Sequence, residues 1–267
     1  MQASQKIGVF DSGVGGLTVV KALMQRLPAE DLVYLGDTAR VPYGTKSAEV
    51  VTRYSLLNAR FLLGHDLKAL VVACNTASAA SLPVLQRELP IPVLGVVGPG
   101  AQAAARATRT GRVGIVGTPG TIRSEAYQRA LREALPEIQI VARACPLFVP
   151  LAEEGWTEAS DAVVRGVAQR YLGDLARGEI DTLVLGCTHY PLLREAIAEV
   201  MGPAVSLVDS AEATAAAVAE LLAGKDLLRP SGQGSARYFV TDLPERFAEV
   251  GARFLGRPIE RAEQVDL

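Results

Sequence analysis

Short, wholly apolar runs alternate along the chain with longer amphipathic stretches. IGVF (7–10), LVYLG (32–36), ALVVAC (69–74), VLGVV (93–97), RVGIVG (112–117), IQIVARAC (138–145), TLVLGC (182–187), VSLVDS (205–210) and ARYFV (236–240) read as strands. Strands exposed on one face alternate apolar with polar positions; continuous Val/Ile/Leu runs belong to parallel sheets covered on both faces. The intervening segments, such as SAEVVTRYSLLNARFLLGHD and SEAYQRALREAL, carry apolar residues at helical spacing. Strands and helices in alternation give the α/β class, with mainly parallel sheets flanked by helices.

The order of these segments also repeats. IGVFDSG (7–13) is similar to VGIVGTPG (113–120), LVVACNTAS to LVLGCTHYP, and VLGVVGPGAQAAA (93–105) to VSLVDSAEATAAA (205–217). Three similarities in one order at nearly constant offset predict two pseudo-symmetric α/β domains. Residues 1–97 with 211–267 would form the first and 98–210 the second. Ligands of open α/β sheets bind beyond the carboxyl ends of the strands, and every polar turn named here falls at such an end. The expected site is therefore the cleft between the domains. LLRPSGQGSAR (227–237) reads as an exposed loop.

Composition narrows the function. Lys and Arg number 27, Asp and Glu 29, for a net charge of −2; with no basic excess or cluster, no nucleic-acid partner is expected. No run of 18 apolar residues occurs, so no spanning helix is expected either. MQASQKIGVFDSG lacks the apolar segment of an export signal, and the expected location is the cytoplasm, where thiols stay reduced. The three cysteines, Cys74, Cys145 and Cys187, form no C-x-x-C pair, and the only histidines are His65 and His189. A Cys/His metal site is not expected.

Two of the cysteines, Cys74 in ACNTAS and Cys187 in GCTHYP, occupy the duplicated turn. Opposed across a cleft, they suit one task in particular. A thiolate on one face of a carbon takes its proton, and a thiol on the other face delivers a new one, which inverts the centre. Cysteine titrates near about 8.5 and lower in electropositive surroundings. Asn75, Thr76 and Ser78 after Cys74, and Pro191 after Cys187, mark helix starts, which favour thiolate charge and offer N–H groups to a carboxylate. Asp11 is assigned to assist Cys74 and His189 to assist Cys187. Asp11 could merely cap the helix after the first strand, though function is favoured, and His189 alone would serve equally as a structural hydrogen bonder. Cys145, in ARACPLF, and His65, after a helix, read as structural. The G-x-G-G spacing of DSGVGG departs from a dinucleotide fingerprint, GTKS lacks the upstream glycine of a phosphate loop, and Lys46 and Lys68 carry no supporting motif.

At these residues the chain resembles the glutamate racemases of the aspartate/glutamate racemase superfamily. The resemblance runs through FDSGVGGLTV (10–19), YLGDTARVPYG (34–44), ACNTAS (73–78), GVVGPG (95–100), GTPGTI (117–122), FVPLAEEG (148–155), LGCTHYP (185–191) and LVDSA (207–211). It implies cofactor-independent racemisation of glutamate, with Cys74 taking the proton of D-glutamate and Cys187 that of L-glutamate. It implies substrate contacts from Asp11, Ser12, Pro42, Tyr43, Gly44, Asn75, Thr76, Thr118, Thr121, Thr188 and His189, and from Glu153 near the ammonium group. It further implies a homodimer that supplies D-glutamate for peptidoglycan. His189 after the second Cys-Thr favours glutamate over aspartate, since aspartate racemases usually carry an acidic residue there. The rival from another class is a noncatalytic amino-acid clamp, for which a thiol pair would be an odd choice.

Overall fold

The computed structural model describes residues 1–267. Its strands are β1 (Lys6–Asp11), β2 (Leu32–Gly36), β3 (Leu67–Val72), β4 (Val93–Gly95), β5 (Arg112–Gly117), β6 (Gln139–Ala144), β7 (Thr182–Gly186), β8 (Ser206–Asp209), β9 (Ala236–Val240) and β10 (Glu263–Gln264). The helices are α1 (Leu17–Arg26), α2 (Ala48–Leu63), α3 (Asn75–Glu88), α4 (Val97–Ala107), α5 (Pro119–Arg123), α6 (Ala126–Ala134), α7 (Phe148–Glu154), α8 (Ala162–Arg177), α9 (Arg194–Met201), α10 (Ser210–Ala223) and α11 (Pro244–Leu255). None is long and apolar enough to cross a membrane.

The strands form two sheets, ordered β10-β9-β2-β1-β3-β4 and β6-β5-β7-β8, and every pairing is parallel. The second order repeats four strands at one end of the first: β6-β5-β7-β8 matches β2-β1-β3-β4. The three sequence similarities fall on matching strands, β1 with β5, β3 with β7 and β4 with β8.

Apart from the edge strands β6 and β10, each sheet is buried on both faces. In the first, Ile7, Val9, Ala69 and Val71 join a core with α1, α10 and α11, while Phe10, Leu70 and Val72 point the other way into a core with α2 and α3. In the second, Val113, Ile115 and Val184 face α4 and α6, and Val116, Leu183 and Leu185 face α8 and α9. Alternate side chains thus meet separate apolar layers, which is why these strands carry no polar alternation. Apolar burial at about 25 cal/mol per Å² is the main stabilising term.

Strand ends depart from expectation where a helix begins early. β3 stops at Val72 rather than residue 74, because Cys74 is already the N-cap of α3, with the Ala77 N–H donating to its sulfur at 3.5 Å. β4 stops at Gly95 and β8 at Asp209, since α4 and α10 start at Val97 and Ser210. β10 had no expectation. Its two polar residues pair with β9 through backbone alone, so no hydrophobic pattern marks them.

Candidate active site

In a sheet ordered 2-1-3-4, chain connections leave β1 and β3 in opposite directions and open a crevice at their carboxyl ends. Both sheets have this arrangement, and their crevices share one cavity of about 160 Å³. Ser12 follows β1. Pro42, Tyr43 and Gly44 come from the connection after β2, and Cys74, Asn75 and Thr76 follow β3. From the other sheet come Thr118 after β5, Glu153 on α7, and Cys187, Thr188 and His189 after β7. Apolar contacts come from Val41, Pro146, Val149 and Pro150.

Two of the expected site residues stand behind this wall. Asp11 is fully buried, its Oδ2 accepting from the Gly13 N–H at 3.0 Å while Oδ1 has no partner. Thr121 is buried, its hydroxyl 3.2 Å from that of Thr76 and 3.1 Å from that of Thr118. Thr76 and Thr118 lie 2.9 Å apart, so the three hydroxyls join the two halves across the cavity wall.

Around Cys74, burial and a nearby carboxyl disfavour negative charge. Its thiol donates to Ser12 Oγ at 3.7 Å. Burial, and then the Asp11 charge, push the Cys74 thiol up to about 12, against the smaller opposing pull of the Ala77 N–H and Ser12. A helix start was expected to favour thiolate here; desolvation outweighs it. Burial likewise raises the Asp11 carboxyl above its ordinary range, opposed by the charge of His189 and by N–H groups of Gly13, Gly16 and Ser12.

Around Cys187 the partners carry positive charge. His189 Nδ1 is 3.8 Å from Cys187 Sγ, and Nε2 is 2.9 Å from Glu153 Oε1. Burial opposes charge on His189, but hydrogen bonds to Cys187 and Glu153, with the charges of both, prevail and raise it to about 10. Both partners thus favour the imidazolium form of His189. Its ring meets Phe254 edge-on with centroids 5.0 Å apart. Gly15 leaves room for it, since a Cβ there would come within 2.5 Å of the ring. The Glu153 carboxylate forms the third member of a Cys187–His189–Glu153 chain and also lines the cavity, where it was expected. Arg253 on α11 donates to the Glu153 backbone oxygen at 2.6 Å.

The remaining polar groups make an acceptor-binding wall. Asn75 Nδ2 is buried without a partner, an arrangement that suits a ligand oxygen. The N-terminus of α3 presents free backbone N–H groups beside it. Tyr43 is held from behind by Asp37, which accepts from its hydroxyl and from Thr241 Oγ1 at 3.0 Å, and by Asn58 Nδ2, which donates to the Tyr43 oxygen at 3.1 Å. The motif YLGDTARVPYG contained Asp37, but its role depends on Thr241, 204 residues away. Of the apolar wall, Val149 and Pro150 fall inside the motif FVPLAEEG, where only Glu153 was singled out, and Pro146 just before it. No three His, Cys, Asp or Glu side chains are grouped as metal ligands.

Residues 7–218 match the family model of the Asp/Glu/Hydantoin racemases. A glutamate racemase of Geobacter metallireducens is 60% identical over 262 residues, 98% of this chain and 96% of that protein. A glutamate racemase isoform from Bacillus anthracis has a crystal structure that superposes with a TM-score of 0.96 at 41% identity, covering 100% and 99% of the two chains. The glutamate racemase of Francisella tularensis, crystallised with D-glutamate, gives 0.92 at 38% identity over 99% and 98%. The chain belongs to the Asp/Glu/Hydantoin racemase family.

Proposed function

We propose that this racemase interconverts L-glutamate and D-glutamate by a two-base reaction between Cys187 and Cys74. The observation that carries the reading is the pair of thiols at equivalent strand ends of two like sheets, both lining one cavity. The names and complexes of the relatives supply the choice of glutamate.

In the L-to-D direction the Cys187 thiolate, beside the His189 imidazolium, removes the Cα proton. The electron pair left behind delocalises into the substrate carboxylate. Cys74, whose surroundings keep its proton on, delivers that proton to the opposite face. One S–H bond forms at Cys187 as the one at Cys74 breaks, and the D-to-L direction reverses the roles. Charge growing on the carboxylate meets Asn75 Nδ2, the hydroxyls of Thr76 and Thr118, and N–H groups of α3, in a largely water-excluded cleft. Tyr43, Gly44, Pro42, Ser12 and Thr188 shape the remainder of the site. Glu153 acts by orienting His189, and Asp11 by opposing charge on Cys74. The reading extends to a cytoplasmic homodimer that supplies D-glutamate for peptidoglycan.

Circular dichroism of L-glutamate incubated with the purified protein and no added cofactor tests the activity. Decay of the signal to zero, with aspartate unchanged, is expected. A stable signal from glutamate would sink the reading, and racemisation of aspartate alone would move the chain to a sister activity.

A further inference from the structure

The geometry points to Tyr127 as a positioning residue: its hydroxyl fixes the Asn75 carboxamide and so aims the Asn75 Nδ2 donor at a substrate carboxylate. The inference rests on the racemase reading. Tyr127 lies on α6, which packs on the second sheet, whereas Asn75 opens α3 on the first. The Tyr127 hydroxyl donates to Asn75 Oδ1 at 2.7 Å. Tyr127 is 1% exposed and stands outside the cavity lining, so it reaches substrate only through Asn75.

The phenol has little room to choose another partner. A Cβ at Gly100 on α4 would come within 3.1 Å of its oxygen, and one at Gly186, the residue before Cys187, within 3.1 Å of its ring. Ser210 also neighbours this hydroxyl, and a hydrogen bond donated by Ser210 would leave the phenolic proton for Asn75. One side chain thus touches four motifs that are far apart in sequence: ACNTAS, GVVGPG, LGCTHYP and LVDSA.

Orientation matters because a carboxamide has unlike ends. With Oδ1 held by Tyr127, the free end is Nδ2, which is buried and unpartnered beside the cavity. Turned over, the amide would present its oxygen to an anionic substrate and repel it. By donating to Oδ1, Tyr127 favours the orientation in which Asn75 offers a donor.

A double-mutant cycle in the full chain tests this. Wild type, Tyr127→Phe, Asn75→Ala and the double variant are compared by KM and kcat for each enantiomer of glutamate, by calorimetric Kd for glutamate, and by thermal midpoint. Phenylalanine keeps the ring packing and removes only the hydroxyl. Tyr127→Phe is expected to raise KM and Kd about fivefold or more, with kcat changed less. It should hold the midpoint within about 2 °C, and add nothing to Asn75→Ala. An additive cycle, or a lowered midpoint with unchanged KM and Kd, would overturn the assignment and leave Tyr127 a packing residue. A wild-type protein that binds glutamate without racemising it would defeat the racemase reading alone, and the Kd cycle would still judge Tyr127. A wild-type protein that does not bind glutamate would overturn both.

Discussion

Cys74 and Cys187 end equivalent strands in sheets of the same order, yet their neighbours differ in charge. Cys74 has a hydroxyl, a backbone N–H and the buried carboxyl of Asp11. Cys187 has the imidazole of His189, itself backed by Glu153. A symmetric scaffold therefore carries asymmetric surroundings, with a buried carboxyl near Cys74 and a histidine–carboxylate pair beside Cys187. The lesson is that duplication supplies placement, while the charged neighbours of each thiol are free to differ between the halves.

The same contrast appears at the far ends of those strands. Lys68 and Asp181 each stand six residues before a cysteine. Lys68, fully buried, meets Glu30 Oε2 at 2.5 Å and donates to the backbone oxygens of Ala3 and Leu227. Asp181 accepts from Thr108 Oγ1, Arg109 N and Thr110 N at 2.6–2.7 Å. One root is held by a buried cation and the other by a buried anion, each tying down neighbouring loops. The equivalent position needs an anchor, and the chemistry of the anchor is free to differ.

Removing either thiol should have the largest effect. Cys74→Ala and Cys187→Ala are each expected to lower racemisation by at least about a hundredfold while the fold survives; wild-type activity in either would end the two-base account. His189→Asn comes next. Because the two enantiomers have equal free energy, kcat/KM must stay equal in both directions, so the asymmetry shows elsewhere. The primary isotope effect with Cα-deuterated L-glutamate should rise more than that with the D form, as transfer to Cys187 becomes slower. Equal rises would erase the proposed difference between the halves.

Glu153→Gln should be milder, about tenfold in kcat/KM. It removes negative charge from His189, so the alkaline loss of activity should move to lower pH; an unmoved limb would show that Glu153 does not act through His189. His189 also links to stability. Its pKa is raised on folding, so its contribution is complete below about 6.5 and fades as pH rises through about 10. The difference in thermal midpoint between wild type and His189→Asn should accordingly shrink from pH 7 towards pH 10. The smallest catalytic effect is expected at the strand root. Asp181→Ala should cost about 1–3 kcal/mol of stability by stranding its donors and leave both isotope effects unchanged.

Much of this contrast was legible from residues alone. Continuous apolar runs identified the central strands, and the duplicated Cys turns led to the thiol pair, because both signals are local in sequence. What escaped depends on long-range contacts. The Asp37–Thr241 hydrogen bond behind Tyr43 and the reach of Glu153 to His189 have no local signature. Burial of Cys74 reversed the expectation drawn from its helix start, because a sequence shows the helix N-terminus but not the desolvation around it. Strand β10 was invisible for a simpler reason: it is two polar residues paired by backbone.

The most direct test of the central claim is the early course of deuterium incorporation when L-glutamate is racemised in D2O, with the two enantiomers separated and analysed by mass. Two thiols on opposite faces predict deuterium at Cα of the D-glutamate formed, with the remaining L-glutamate still protiated. Deuterium entering the recovered L-glutamate as fast as the product, or product that keeps the original proton, would mean a single base serving both faces and would contradict the account.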